Sequence, residues 1–382
     1  MKDHAGKSPL GEILGLFLRL GLTAFGGPAA HIALMEREAV ERRAWMSRGS
    51  FLDLVGACNL LPGPSSTQVA MALGYSRAGW MGLLIAGACF ILPASLATLA
   101  LAWTYVRYGS LPQAQGLLYG AKPVMVAILV QAIWRLGRMA WRGWMPALAG
   151  LVCMAAALAG APAIAVLLVA GGIALLVAWR RSHPGAALGV AALPLGLGGA
   201  AAGAGGTIGL GSLFFVFLKL GVVVFGSGYV LVAFLKADLV DRLHWVTEPQ
   251  LLDAITAGQI TPGPLFATAT FLGFLLRGFA GAALATAAIF LPSFLMAGLV
   301  GALAGRVRRS RLAAAFLDGV NIAAVALMAA VALVLGRATL VDGWTGALGV
   351  SSAALLIWTR INATWLILAG AAIGMLLRGF FA

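Results

Sequence analysis

Residues 59–68 read NLLPGPSSTQ, and residues 259–268 read QITPGPLFAT. Both stretches lie in strongly apolar sequence, yet each sets two prolines around a glycine. Proline has no N–H to donate and glycine admits left-handed dihedrals. Pro-Gly-Pro therefore ends one helix and starts another, with Pro64 suited to the first position of the new one. The same interruption used twice predicts a duplicated chain built around two helix breaks.

The duplication extends outward from the breaks. FLRLGLTAFGG (17–27) aligns with FLKLGVVVFGS (217–227), and the register holds through Arg42 and Arg242, Trp45 and Trp245, and the Leu-Asp pairs at 52 and 252. One residue is then lost, after which FILPA (90–94) matches IFLPS (289–293). A unit this long is no solenoid repeat and fits a duplicated transporter half.

Of the 382 residues, 62% are hydrophobic and 10% charged, and the mean hydropathy is +0.99. Apolar runs such as Leu83–Trp103, Pro146–Gly160 and Ala163–Trp179 approach the roughly 20 residues a bilayer crossing needs, without the alternation of a barrel strand. The expected fold class is an all-α polytopic membrane protein, an inverted repeat of two homologous halves with broken or re-entrant helices. The net charge of +14 is spread over short clusters between apolar runs, which points to orientation in the membrane rather than to nucleic acid. Cys58, Cys89 and Cys153 lie in apolar segments without metal-like spacing and read as core residues. The N-terminal stretch MKDHAGKSPLGEILGLFLRLG is interrupted by Arg19 and shows no clear cleavage site, so it is expected to be retained.

Matching loops carry opposite basic bias. Arg107 stands alone where its counterpart has Arg306, Arg308, Arg309 and Arg311, while Arg135, Arg138 and Arg142 oppose a single Arg337. By the positive-inside rule the halves are inverted. Arg180 and Arg181 close the first half on the cytoplasmic side, so inversion needs an odd crossing. The expected division is residues 1–181, a linker over 182–208 that supplies a transmembrane helix, and residues 209–382. A flexible extramembrane loop is the alternative for Ala186–Thr207. Segments 9–24, 29–46, 50–61 and 64–76 are too short or too polar for ordinary spans and read as hairpins or broken helices. EREAVERR (36–43) reads as a solvated amphipathic helix with a Glu38–Arg42 pair, not a site.

A helix N-terminus carries about half a positive charge and free N–H groups, which makes it an anion site. Ser65, Ser66, Thr67 and Gln68 follow the first break and add hydroxyl and amide donors. The alternative is a packing kink with hydroxyls bonded back to their own helix. Intramembrane cations are costly, and Arg19 and Lys219 are twins near the middle of their segments. Lys122, beside Pro123, lies comparably deep, and its matching position is Asn321. These cations serve an anion, or snorkel, or pair with Asp53, Asp253 or Asp318. The first two of those aspartates also suit helix caps. His31, just after FGGP, is placed for a role in the site or in the core.

FGGPAAH (25–31), NLLPGPSSTQ (59–68) and their degenerate second copies resemble the chromate transporter (CHR) family in its long two-domain form, over nearly the whole chain. The resemblance implies an antiparallel duplicated membrane protein that exports chromate and confers chromate resistance. The second copy departs from the first: Gly27-Pro28 becomes Ser227-Gly228, and SSTQ becomes LFAT. An asymmetric site is expected. The substrate-binding candidates are Arg19, Lys219, Lys122, Gly26, Gly27, His31, Asn59, Gly63, Ser65, Ser66, Thr67 and Gln68, with Gly226, Ser227, Gln259, Thr261 and Gly263. The implied partners are a chromate- or sulfate-like oxyanion, the lipid bilayer and a second copy of the chain in a homodimer, not nucleic acid. The implied location is the inner (plasma) membrane. No cofactor, metal centre or catalytic residue is expected, since the sequence lacks a nucleophile-and-base set and its four histidines have no metal-binding spacing. The rival readings are a transporter for sulfate or another oxyanion and, with less support, a proton-coupled cation antiporter using Asp53, Asp253 and Asp318.

Overall fold

The computed structural model describes residues 9–140, 143–182, 208–225, 228–307, 311–359 and 361–381. The expected crossing over 186–207, the basic loop around 308–310, and Gly226 and Ser227 lie outside the described residues. So do the first eight positions. What is described is helical and forms a multi-pass membrane protein of two repeated halves. Among the described residues, five helices are long and apolar enough to cross a bilayer.

Half one runs α1 (Pro9–Thr23), α2 (Gly27–Glu36), a π-helical turn (Arg37–Arg42), α3 (Arg48–Asn59), α4 (Ser65–Tyr108), α5 (Pro112–Ala140), α6 (Trp144–Leu158) and α7 (Ala163–Ser182). Half two repeats it as α8 (Leu210–Val223), α9 (Val230–Leu235), a second π-helical turn (Lys236–Arg242), α10 (Glu248–Ile260), a 3-10 turn (Leu265–Ala267), α11 (Thr268–Val307), α12 (Arg311–Thr339), α13 (Gly343–Trp358) and α14 (Ala363–Phe381). Side-chain caps start the re-entrant helices: Ser47 accepts from the Ser50 N–H before α3, and Thr247 and Gln250 form a reciprocal capping box before α10. Thr247 caps α10, so Asp253 is free of the capping role open to it in sequence.

The long α4 is two limbs. At Ala78 and Gly79 the backbone leaves the helical region, with Gly79 at φ +58°. A Cβ on Gly74 would overlap the Gly82 carbonyl, whereas residues eight apart in a straight helix are about 12 Å apart. The chain therefore folds back, and α3 with limb 65–77 forms a re-entrant hairpin whose tip is Pro62-Gly63-Pro64. The same turn recurs at Arg277 and Gly278 (φ +60°). Arg77 pairs with Glu12 and lies over the Trp45 ring, which brings the start of α1, the α2–α3 connection and the hairpin turn to one surface.

The halves interleave. α4 packs on α11, α5 on α13 and α14, and α12 on α6 and α7, so each half's fifth helix is held by the other half's last two. Small residues permit the close approach: Gly116 and Gly120 of α5 abut Gly370 and Gly374 of α14, and Gly319 of α12 abuts Ala170 of α7.

Candidate functional site

The two Pro-Gly-Pro tips meet the Phe-Gly breaks of the opposite halves. The Gly63 N–H donates to the Val224 carbonyl at 2.6 Å, and the Gly263 N–H donates to the Ala24 carbonyl at 2.9 Å. Pro62 and Phe225 form a short antiparallel bridge. This reciprocal exchange is the contact pattern of a two-fold axis, and it satisfies backbone groups freed at depth by the prolines. Both tip glycines have positive φ, +114° and +97°. A Cβ on Gly63 would approach Gln68 Nε2 to 2.7 Å and Ser293 Oγ to 2.9 Å; one on Gly263 would approach the Ala94 Cβ to 2.8 Å.

The candidates from the Phe-Gly-Gly-Pro break gather here. Gly26 caps α2 in a left-handed conformation. A Cβ on Gly27 would come within 2.8 Å of the Tyr229 hydroxyl. His31 is buried, with Nε2 3.1 Å from the Ala24 carbonyl and Nδ1 3.4 Å from Ser66 Oγ, against the Phe90 ring. Ser65, Ser66, Thr67 and Gln68 are all buried at the start of α4, and the first intrahelical bond there is from the Gln68 N–H to the Pro64 carbonyl. Gln68 Nε2 donates to the Pro62 carbonyl across the tip. From half two, Thr261 meets Thr98 of half one at 3.2 Å, and the Gln259 and Tyr229 side chains are hydrogen-bonded to each other. Asn59 is exposed at the end of α3 and stands apart from the group.

Among the described residues, five buried donor-bearing atoms near the two tips lack a hydrogen-bond partner, Thr67 Oγ1, Ser95 Oγ, Gln259 Nε2, Thr268 Oγ1 and Ser293 Oγ, as does one acceptor, Gln68 Oε1. A buried polar group without a partner costs about 1–3 kcal/mol. The donors among them, set along both tips, are groups that a hydrogen-bond acceptor can satisfy. Ser95 and Ser293 carry no signal in the duplicated motif itself; they flank the prolines of α4 and α11, two helices that pack together.

The cations take carboxylates. Arg19 pairs with Glu38, which also receives Arg42 and Arg43. Lys219 pairs with Asp238 at 2.6 Å, and Arg242 reaches the same carboxylate at 2.9 Å. Glu38 and Asp238 are twins on the two π-helical turns. The expectation of a solvated amphipathic helix over 36–43 is thus corrected: Glu38 is only 6% exposed, because the wider π turn and α1 fold three guanidinium groups around it. The alignment of Glu38 with Asp238 and Arg42 with Arg242 was the available signal. Lys122 of α5 pairs with Asp253 of α10 at 3.1 Å, joined by the Tyr105 hydroxyl at 3.0 Å. Asp53 is exposed, as is Asp318. A cavity of about 670 Å³ opens beside Lys219, Lys236, Asp238, Asp241 and Arg242, walled by the turn between α6 and α7 and by α12.

Comparison with known proteins agrees with this architecture. The profile of the chromate transporter family matches residues 11–193 and 211–375, one stretch per half. The chain is 33% identical over 379 residues to the chromate transport protein of Cupriavidus metallidurans, covering 95% of this chain and 92% of the relative. It is 32% identical over 343 residues to the probable chromate transport protein of Synechococcus elongatus, covering 87% and 86%. It is 33% identical over 344 residues to the chromate transport protein of Pseudomonas aeruginosa, covering 86% and 81%. No solved structure matches the chain significantly. With both halves matched and the paired breaks in place, the chain belongs to the chromate transporter family.

Proposed function

We propose that this protein moves chromate, a tetrahedral dianion, out of the cytoplasm across the inner membrane and so confers chromate resistance. The carrying observation is the set of unpartnered buried donors around the two paired tips, beside the first-turn amides of Ser65, Ser66 and Thr67. An oxyanion supplies the acceptors those groups lack, and the α4 dipole favours its charge. In this reading the halves are inverted, residues 1–181 and 209–382 form the two repeats, and 182–208 provides the odd crossing.

Arg19 and Lys219 serve as countercharges in a conformation where they leave their carboxylates. That release is inexpensive by design, since Glu38 keeps Arg42 and Arg43, and Asp238 keeps Arg242. Outward movement of two negative charges across about 100 mV, inside negative, is favourable by roughly 4.6 kcal/mol. The membrane potential therefore favours export of the bare dianion.

Sulfate shares the shape and charge of chromate, so flux decides between them. Purified protein in liposomes is expected to release trapped chromate faster with an outward-directed driving potential, and sulfate is expected to compete for the same site. Equal sulfate flux assigns a broader oxyanion role, and no chromate flux refutes the proposal.

A further inference from the structure

The Lys122–Asp253–Tyr105 cluster differs from the other ion pairs in three respects. First, it is single in a duplicated frame. Asp253 has the exposed Asp53 as its twin, while the positions matching Lys122 and Tyr105 are Asn321 and Ala304. Neither matching residue is a cation or a phenol. Second, it joins the halves, with Tyr105 and Lys122 from half one and Asp253 from half two. Third, Asp253 is 4% exposed and has one base, whereas Glu38 holds three and Asp238 two.

On the π-helical turn packed against α10, Lys236 is committed to Asp241 and Glu248, and Asp238 to Lys219 and Arg242. α11 carries Arg277 at its hairpin turn, and α12 carries the exposed Asp318 and, near its far end, Arg337. On α14, Arg378 lies by Gln115 and Tyr119. The 3-10 turn over 265–267 has no titratable side chain. On the other elements packed against α10, α4 carries the exposed Arg107, and α5 the exposed Arg135, whose charge reaches Tyr229, the neighbour of Gln259. Along α10, Asp253 stands nine residues before Pro262, about 13 Å from the tip. Gln259 and Thr261 lie between the two on the way to the tip.

We propose that Asp253 couples anion binding to a proton: Lys122 turns from Asp253 to the oxyanion, and the vacated carboxylate oxygen takes a proton from water. The inference rests on the oxyanion reading of the tips. A buried carboxylate that loses its base is strongly disfavoured as an anion, while a neutral acid still hydrogen-bonds Tyr105. Each dianion then binds with one proton, so the pair carries a net charge of one across the membrane, half that of the bare dianion. By linkage the anion tightens as pH falls, about tenfold per unit where Asp253 is ionised in the unliganded protein.

Sulfate is the probe, because it stays a dianion across the neutral range while chromate itself titrates. Calorimetric titration of the purified full-length protein with sulfate, in two buffers of different ionisation enthalpy, counts protons. The expected result is about one proton taken up per sulfate, and none in Asp253→Asn. Asp253→Glu is expected to keep the uptake, which provides the comparison if the asparagine variant does not fold. Tyr105→Phe is expected to keep it as well. Sulfate binding by the parent protein without proton uptake overturns the inference alone, as does full uptake in Asp253→Asn. Absence of binding by both sulfate and chromate removes the oxyanion reading and this inference with it.

Discussion

The two tip glycines offer a paired test of the architecture, because alanine meets different neighbours at each. Gly63 and Gly263 share a positive φ of +114° and +97°, so alanine costs each a similar strain, about 1–2 kcal/mol. The contacts differ. At Gly63 the new methyl meets Gln68 Nε2 and Ser293 Oγ, the ends of two side chains that can turn aside. At Gly263 it meets the Ala94 Cβ at 2.8 Å and the Phe90 carbonyl at 3.4 Å, which move only with α4. Overpacking of that kind adds about 1–3 kcal/mol. Gly263→Ala is therefore expected to lower the thermal midpoint in detergent, followed by tryptophan fluorescence, by more than Gly63→Ala. Gly63→Ala in turn displaces Gln68 from the Pro62 carbonyl and is expected to reduce flux while leaving most protein folded. A Gly63→Ala midpoint equal to or below that of Gly263→Ala refutes the reciprocal docking of tips.

Three further outcomes follow from the charges and the topology. Glu38→Gln is expected to destabilise more than Arg19→Gln, since it leaves three guanidinium groups around a buried site, where breaking a buried pair costs about 3–5 kcal/mol, whereas Arg19 is half-exposed; equal midpoints contradict this. Asp342 caps α13, and its carboxyl is held below the usual range by the Thr345 N–H and the Tyr119 hydroxyl. Its folded value is depressed, so its stabilisation is complete above the unfolded value near 4 and is lost as pH falls below that; Asp342→Ala is expected to flatten the acid limb of a stability-against-pH curve, and an unchanged limb refutes the assignment. In a background lacking Cys58, Cys89 and Cys153, Ser110→Cys and Ser310→Cys are expected to label from opposite faces of the membrane, with position 310 cytoplasmic; labelling from one face contradicts the inverted repeat.

The breaks were legible in sequence because proline and glycine act on their own backbone, and duplication separated them from accidental kinks. The reading of 50–61 and 64–76 as hairpins or broken helices followed from their shortness, their breaks and their polarity. What the sequence concealed was set by distant partners. Lys122 and Asp253 are 131 positions apart, and nothing local announces their pairing through Tyr105. The Glu38 environment was misread because a charged run at helical spacing looks solvated until α1 is folded against it. The exchange of α5 and α12 between halves depends on glycines whose partners lie on α14 and α7. Ser95 and Ser293 gained meaning only when α4 and α11 were seen to cross at the tips.

Chromate flux per folded molecule in liposomes, compared between the parent protein and Ser65→Ala/Ser66→Ala/Thr67→Ala, bears most directly on the site at the tips. Among the described residues Thr67 Oγ1 has no hydrogen-bond partner, and Ser66 Oγ has the long contact of 3.4 Å to His31 Nδ1, so the substitutions remove little internal bonding and the fold is expected to persist. Each hydroxyl bound to a charged oxyanion is worth about 1.5–3 kcal/mol, which is tenfold or more in affinity. The account predicts that specific flux falls by at least tenfold at subsaturating chromate while the unliganded thermal midpoint stays close to that of the parent. Near-parental specific flux in the triple variant contradicts it.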